Sequence, residues 1–242
     1  MSELSILIPC LNEADSLPVL LERLEKLSIS ADWDVETIVL DDASTDDTIE
    51  VARALKAAHS ALNIRIIHRF EPRRGYGALI RYGLACATSR YCLLLAADGA
   101  HPIEMLGEYL THARQGAQLV QCSRYERPED KNDIPPLFRV CQAIYRALAR
   151  LLLGWDIRDP TCSFKLVDRI HLLATGIRHN GLAVVPEITF KIWLGGGKVV
   201  FVPGRQSFRR RGISEFRFMR EAVSYAYVLA RAALHRFGVP WF

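Results

Sequence analysis

The chain has 242 residues, 50% of them hydrophobic and 24% charged, with a net charge of +4. That balance excludes a disordered or fibrous chain, because there is enough apolar surface to build a core. The small total charge speaks against nucleic acid as a partner, but its distribution is uneven. Arg205, Arg209, Arg210, Arg211, Arg217 and Arg220 are accompanied by the single acid Glu215, so one short segment carries the basic character.

In chain order, the apolar runs Leu4–Pro9, Val35–Leu40, Ile64–His68, Tyr91–Ala97 and Leu119–Ser123 read as strands. Amphipathic stretches at Ser16–Leu27, Asp46–His59, Gly77–Ala87 and Pro102–Arg114 read as the helices between them. The first run has no basic residues before it and contains Pro9, which makes it a strand rather than a secretion signal. Alternation of this kind predicts an α/β fold, a mainly parallel sheet with helices on both faces. Ligands in such sheets sit at the carboxyl ends of the strands. Polar groups gather there: Cys10-Leu-Asn-Glu13, Asp41-Asp-Ala-Ser44 and Asp98-Gly-Ala-His101.

Beyond Tyr125 the pattern changes. Glu126–Pro136 is charged and holds three prolines, so a mobile loop that closes over bound acceptor is expected. Leu137–Trp155 reads as a helix with Arg139, Arg146 and Arg150 on its polar side. A less regular part follows, with Gly195–Lys198 as a turn before a strand at Val199–Val202. Phe216–Phe237 has helical spacing for one continuous apolar face, flanked by arginines. We divide the chain into a main domain, 1–215, and a carboxy-terminal amphipathic helix, 216–242. That helix is expected on an anionic membrane surface or on a membrane partner subunit. No run approaches the ~20 apolar residues that span a bilayer. The six cysteines (10, 86, 92, 122, 141 and 162) include no CxxC pair and read as reduced core residues of a cytoplasmic protein.

Two nucleotide signatures drop out. Gly75-Tyr-Gly77 begins a GxG, but Ile80 stands where a third glycine belongs, and no GxxxxGK[ST] exists. The acidic clusters are harder to dismiss. Asp41 and Asp42 are adjacent like charges at a strand end, with no cation near them in sequence, and need a donor or a cation. Ser44, Asp46 and Asp47 also suit a helix cap.

Pro9-Cys-Leu-Asn-Glu13, Asp41–Thr48, Arg74–Gly83 and Asp98-Gly-Ala-His-Pro102 come in an order that resembles glycosyltransferase family 2. Ser123-Arg-Tyr125, Asp159–Lys165 and Arg209–Ser214 continue the resemblance, which covers about residues 4 to 216. Within the family the likeness is to polyprenyl- and dolichyl-phosphate mannosyl- or glucosyltransferases. It implies a GT-A fold, a nucleoside-diphosphate sugar donor, a lipid-phosphate acceptor and Mg²⁺ or Mn²⁺. Pro9, Leu11 and Glu13 would line the nucleoside pocket together with Asp41, Asp42 and Ala97. Asp98 would hold the metal; Arg124 and Arg139 would meet the acceptor phosphate and Arg209 the diphosphate. Glu187 falls at an acidic position near the site and is the candidate base. Ala96 replaces the first Asp of the family's DxD, Ala100 the Gln or Ser before the histidine, and Glu215 the Lys of GxSK. The alternatives are transfer to a soluble or glycan hydroxyl, or a non-catalytic sugar-nucleotide-binding protein. The expected location is cytoplasmic, at the inner face of a membrane.

Overall fold

The computed structural model describes residues 3–31, 33–69, 75–127, 134–205 and 218–240. Arg209, Arg210, Arg211, Glu215 and Phe216 lie outside these residues, as do positions 128–133 of the expected mobile loop. The elements run β1 (Leu4–Cys10), α1 (Leu17–Ser30), β2 (Val35–Asp41), α2 (Thr48–Ala58), β3 (Ile64–His68), α3 (Tyr76–Cys86), β4 (Tyr91–Leu94), α4 (Leu106–Arg114) and β5 (Leu119–Ser123). Then come α5 (Pro136–Leu153), β6 (Lys165–Asp168), α6 (Arg169–Thr175), α7 (Val184–Leu194), β7 (Val199–Pro203) and α8 (Phe218–Arg236).

The strands form one sheet in the order β3-β2-β1-β4-β6-β5-β7. All pairs are parallel except those of β6, which runs against both β4 and β5. Pattern reading did not find β6, α6 or α7. The reason for the last is that α7 buries nearly every position, so it has no polar face to give a period.

β1 packs on both faces. Leu4, Ile6 and Ile8 point into the core built with α1 and α4, and Leu7 into the core built with α3 and α7. Chain order reverses between β1 and β4, which opens a crevice at their carboxyl ends. β4 ends at Leu94, not at Ala97 as expected, because its pairing with β1 stops at Leu7. In a parallel strand both polar groups of a residue face one neighbour. The Leu7 carbonyl accepts from Leu95 N–H at 3.0 Å, so Pro9, two residues on, faces the same side where β4 has already ended. The missing N–H of Pro9 therefore breaks no ladder.

A third apolar cluster lies outside the sheet, where Ala149 and Leu153 of α5 meet Phe190 of α7 and Val228, Leu229, Ala232 and Ala233 of α8. The apolar residues of α8 thus divide between two faces: the face expected from the spacing, with Val223, Tyr227, Leu234 and, just past its end, Phe237, is exposed, and a second, with Val228, Leu229, Ala232 and Ala233, is buried. All six cysteines are free; four are buried, whereas Cys86 and Cys141 are half-buried and not core.

Candidate active site

Three loops meet at the crevice, and the first two are stitched together. Asn12 N–H donates to Ser44 Oγ (2.9 Å), Thr45 N–H to Asn12 Oδ1 (2.8 Å), and Glu13 N–H to Thr48 Oγ1 (2.9 Å). Asn12 and Ala43 sit at φ 56° and 58°, a left-handed backbone that is strained for alanine and held by these ties. Most polar residues of Asp41–Thr48 therefore shape the crevice rather than line it.

Asp41 and Asp42 are both buried. Their partners come from the end of β3, which the register places opposite Asp41. His68 Nδ1 lies 2.7 Å from the Asp41 carboxylate, which also accepts from Ser44 N–H at 3.1 Å. Arg69 reaches Asp42 Oδ1 at 3.4 Å. That oxygen is buried and makes no hydrogen bond, an acceptor left unsatisfied at the end of β2. His68 and Arg69 went unnoticed in the sequence; two basic residues at a neighbouring strand end were the available signal. Pro9 and Leu11 are half-buried beside this pair, and Glu13 is buried with Oε2 accepting from Ser16 Oγ at 2.5 Å.

On the other side of the crevice, Asp98 is half-exposed and Ala97 is buried. Asp98 Oδ1 accepts from Ala100 N–H at 3.0 Å, and its second oxygen makes no hydrogen bond among the described residues. No group of three acidic, His or Cys side chains able to hold a metal is found among the described residues. One free carboxylate oxygen still fits Mg²⁺ or Mn²⁺, hard ions that take one or two carboxylates and fill their shell with phosphate and water. His101 is not available as a ligand. Ala96 N–H donates to its Nδ1 (3.2 Å), which leaves the proton on Nε2, facing Ser163 Oγ at 3.0 Å. Burial lowers its pKa to about 4, so the ring is neutral near pH 7.

Arg124 pairs with buried Asp159: Nε donates to Oδ2 at 2.7 Å and Nη2 to Oδ1 at 3.0 Å, with Nη2 also on Thr161 Oγ1 at 2.9 Å. Burial alone would raise the Asp159 carboxyl, but Arg124 overrides it and holds the group below the usual carboxylate range. Beneath them Lys165 is wholly buried on Gln121 and Thr189, and burial lowers it to about 7. Arg139, in the first turn of α5, donates from Nε to Ile134 O at 2.7 Å. Arg209 is outside the described residues.

Glu187 is buried in the first turn of α7. Its two oxygens accept from Arg178 N–H (2.9 Å) and His179 N–H (2.8 Å), with Lys191 Nζ at 3.5 Å. These bonds build the loop 178–181, whose Asn180 carbonyl accepts from Gly77 N–H (2.7 Å) at the start of α3. A Cβ at Gly77 would come 2.0 Å from His179 O, and one at Gly75 2.6 Å from Asn180 O. The GxG pair therefore admits a protein loop, not a phosphate. Tyr76 between them has a buried hydroxyl without a hydrogen bond. Burial raises its pKa, with Tyr225 of α8 and Asp98 adding to the effect.

Residues 5–173 match the model of a family described as glycosyl transferase family 2. The chain is 29% identical over 179 residues to a dolichyl-phosphate beta-glucosyltransferase of Drosophila melanogaster, across 69% of this chain and 55% of that protein. It is 28% identical over 218 residues to a polyprenol monophosphomannose synthase of Mycolicibacterium smegmatis, across 87% of this chain and 79% of that one. A further dolichyl-phosphate beta-glucosyltransferase, from Dictyostelium discoideum, is matched over 54% of its length, so the chain spans about half of these two relatives. Among solved structures, glucosyl-3-phosphoglycerate synthase from Mycobacterium tuberculosis in complex with UDP superposes with a TM-score of 0.66. It is 21% identical, across 99% of this chain and 82% of that one, a likeness of fold alone.

Proposed function

The chain belongs to glycosyl transferase family 2 and has its GT-A fold, and from that premise we propose that it moves a hexose, with inversion, from a nucleoside-diphosphate sugar to a polyprenyl phosphate. The observation that carries the acceptor class is the state of Glu187. Both its oxygens are occupied by backbone N–H groups, so it is poorly placed to take a proton. A phosphomonoester needs no base, since its second pKa of about 6 leaves the attacking oxygen anionic at neutral pH. The names of the polyprenyl- and dolichyl-phosphate relatives point the same way.

In this reading the unsatisfied Asp42 Oδ1 receives a donor from the base of the nucleotide, with Pro9, Leu11 and Glu13 around it. Asp98 would hold Mg²⁺ or Mn²⁺ with its free oxygen, and the ion, when bound, neutralises charge building on the departing diphosphate. Arg139 and Arg209 are the candidate cations for the phosphates, while Arg124 is largely neutralised by Asp159 and holds the wall of the site. The neutral His101 fixes the turn that carries Asp98.

The outer helices suit a membrane surface. Leu137, Val140, Ile144, Leu148 and Leu151 form an exposed apolar stripe along α5, beside Arg139, Arg146 and Arg150. Val223, Tyr227, Leu234 and Phe237 form another on and just beyond α8, and Arg220 and Arg236 are exposed there. Apolar stripes flanked by arginine match the headgroup region of an anionic leaflet, where each basic residue adds about 1 kcal/mol. No helix among the described residues is long and apolar enough to cross a membrane.

A second reading keeps the fold and donor but uses a small hydroxyl acceptor; solved structures of glucosyl-3-phosphoglycerate synthase include phosphoglyceric acid. Glu187 is then the base. Turnover of the full chain with GDP-mannose or UDP-glucose, Mn²⁺ and an undecaprenyl phosphate separates the two. Asp98→Asn should lower turnover by roughly 10²–10³-fold, whereas Glu187→Gln should stay within about tenfold. A loss of roughly 10²–10⁴ in Glu187→Gln, with nucleotide binding intact, favours the hydroxyl acceptor.

A further inference from the structure

Between the loop 178–181 and α8 lies a cavity of about 480 Å³. Arg178, Arg220 and Arg231 all line it, and none of the three guanidinium groups has an ion-pair partner among the described residues. The Nε of Arg231 is buried without a hydrogen bond. Among the described residues that line it, Glu221 is the one acid free to offset them, because Glu187 is committed to Lys191 and the loop amides. Three guanidinium groups against one carboxylate leave the wall with an excess of about two positive charges at neutral pH. His179 accepts from Gly181 N–H at Nδ1 (3.0 Å), so its proton lies on Nε2, one more donor at the same wall.

An unpaired cluster of planar donors around a cavity is matched by a dianion with several acceptor oxygens. The rim says what the dianion is attached to. Tyr227 lines the cavity and is 59% exposed, and it stands in the apolar stripe of α8 with Val223 one turn before it. A polar socket thus opens directly onto an apolar track.

We propose that this cavity is a binding site for the phosphate of an isoprenyl monophosphate, with the hydrocarbon tail laid along Val223 and Tyr227. The site rests on the polyprenyl-phosphate reading above and deepens it, since it gives the acceptor headgroup Arg178, Arg220 and Arg231 and leaves Arg139 and Arg209 to the donor diphosphate.

Calorimetric titration of the full chain with farnesyl phosphate, farnesol and inorganic phosphate tests it. Farnesyl phosphate should bind at least tenfold more tightly than either of the others. Arg178→Gln with Arg231→Gln should weaken farnesyl phosphate by roughly tenfold or more per arginine while UDP and GDP affinities stay unchanged. Arg220→Gln, at an exposed position, should weaken it in the same direction without risk to the fold. Unchanged farnesyl phosphate affinity in these variants overturns the site. Inorganic phosphate binding as tightly as farnesyl phosphate overturns the lipid assignment in favour of a small free phosphate, and farnesol binding as tightly overturns the role of the charge. The two proposals fail separately. Full transfer to polyprenyl phosphate by the double variant removes this site and leaves the function standing. Arginine-dependent binding without transfer to any polyprenyl phosphate removes the function and leaves the site.

Discussion

The sheet and its outer helical layer treat the same residue types in opposite ways. Up to residue 127, Val19 and Tyr82 are the only large hydrophobic side chains exposed among the described residues. On and just beyond α5 and α8, by contrast, Leu137, Val140, Ile144, Leu148, Leu151, Val223, Tyr227, Leu234, Phe237 and Val239 face outward. Charges follow the reverse rule. Around the sheet they are buried in pairs, Arg69 with Asp42 and Arg124 with Asp159, whereas Arg178, Arg220 and Arg231 beside and on α8 stand unpaired among the described residues. The sheet has met most of its needs internally, with Asp42 Oδ1 left without a hydrogen bond. The outer layer has not, and a surface that exposes contiguous apolar residues is one that binds something.

The strongest way to sharpen that contrast is to unpair a buried charge. Asp159→Ala leaves Arg124, whose side chain is 16% exposed, without its bidentate partner. The loss should be about 3–5 kcal/mol, read from urea denaturation of the variant against the parent. A loss below 1 kcal/mol would mean that water already reaches the pair and that the inner region is less dry than its geometry suggests.

A leucine comparison is more direct. Leu21, on α1, is wholly buried, while Leu151, on α5, is 78% exposed. Leu21→Ala should cost about 2–5 kcal/mol and Leu151→Ala less than about 0.5 kcal/mol. Replacing both Ile144 and Leu151 with Glu should likewise leave stability nearly unchanged but release the protein from anionic vesicles at low salt. If those glutamates unfold the chain, α5 is core and the contrast fails; if the intact chain ignores vesicles at every salt, a partner protein covers the stripe.

A further effect is one of pH. The folded pKa of His101 is depressed to about 4, against about 6.5 unfolded. Between these values the unfolded chain binds a proton that the folded chain refuses, so stability is present above pH 6.5 and declines as pH falls toward 4. His101→Gln should flatten the slope of stability against pH in that window, measured by thermal unfolding in a buffer series. An unaltered slope would assign it to other groups.

Much of the sheet was legible because local rules sufficed. The runs that became β1, β2, β3 and β5 matched their strands to within a residue, since each is a short apolar run bounded by polar turns. The place of Asp41 and Asp42 at the end of β2 was legible too, because the apolar run stops where the acids begin. The strand expected at Tyr91–Ala97 came out short at Leu94, for only the partner strand decides where a ladder stops.

What the sequence by itself determined was therefore the α/β alternation, the strand-end acids and the amphipathic character of the last helix. Tertiary structure alone decided who pairs with whom. It brought His68 and Arg69 to the two aspartates and Asp159 to Arg124, committed Glu187 to the loop that starts α3, and split the apolar residues of α8 between a buried and an exposed face. The physical reason is separation along the chain. Propensity and periodicity act over a few residues, whereas a buried charge is satisfied by whatever group the packing of distant elements delivers.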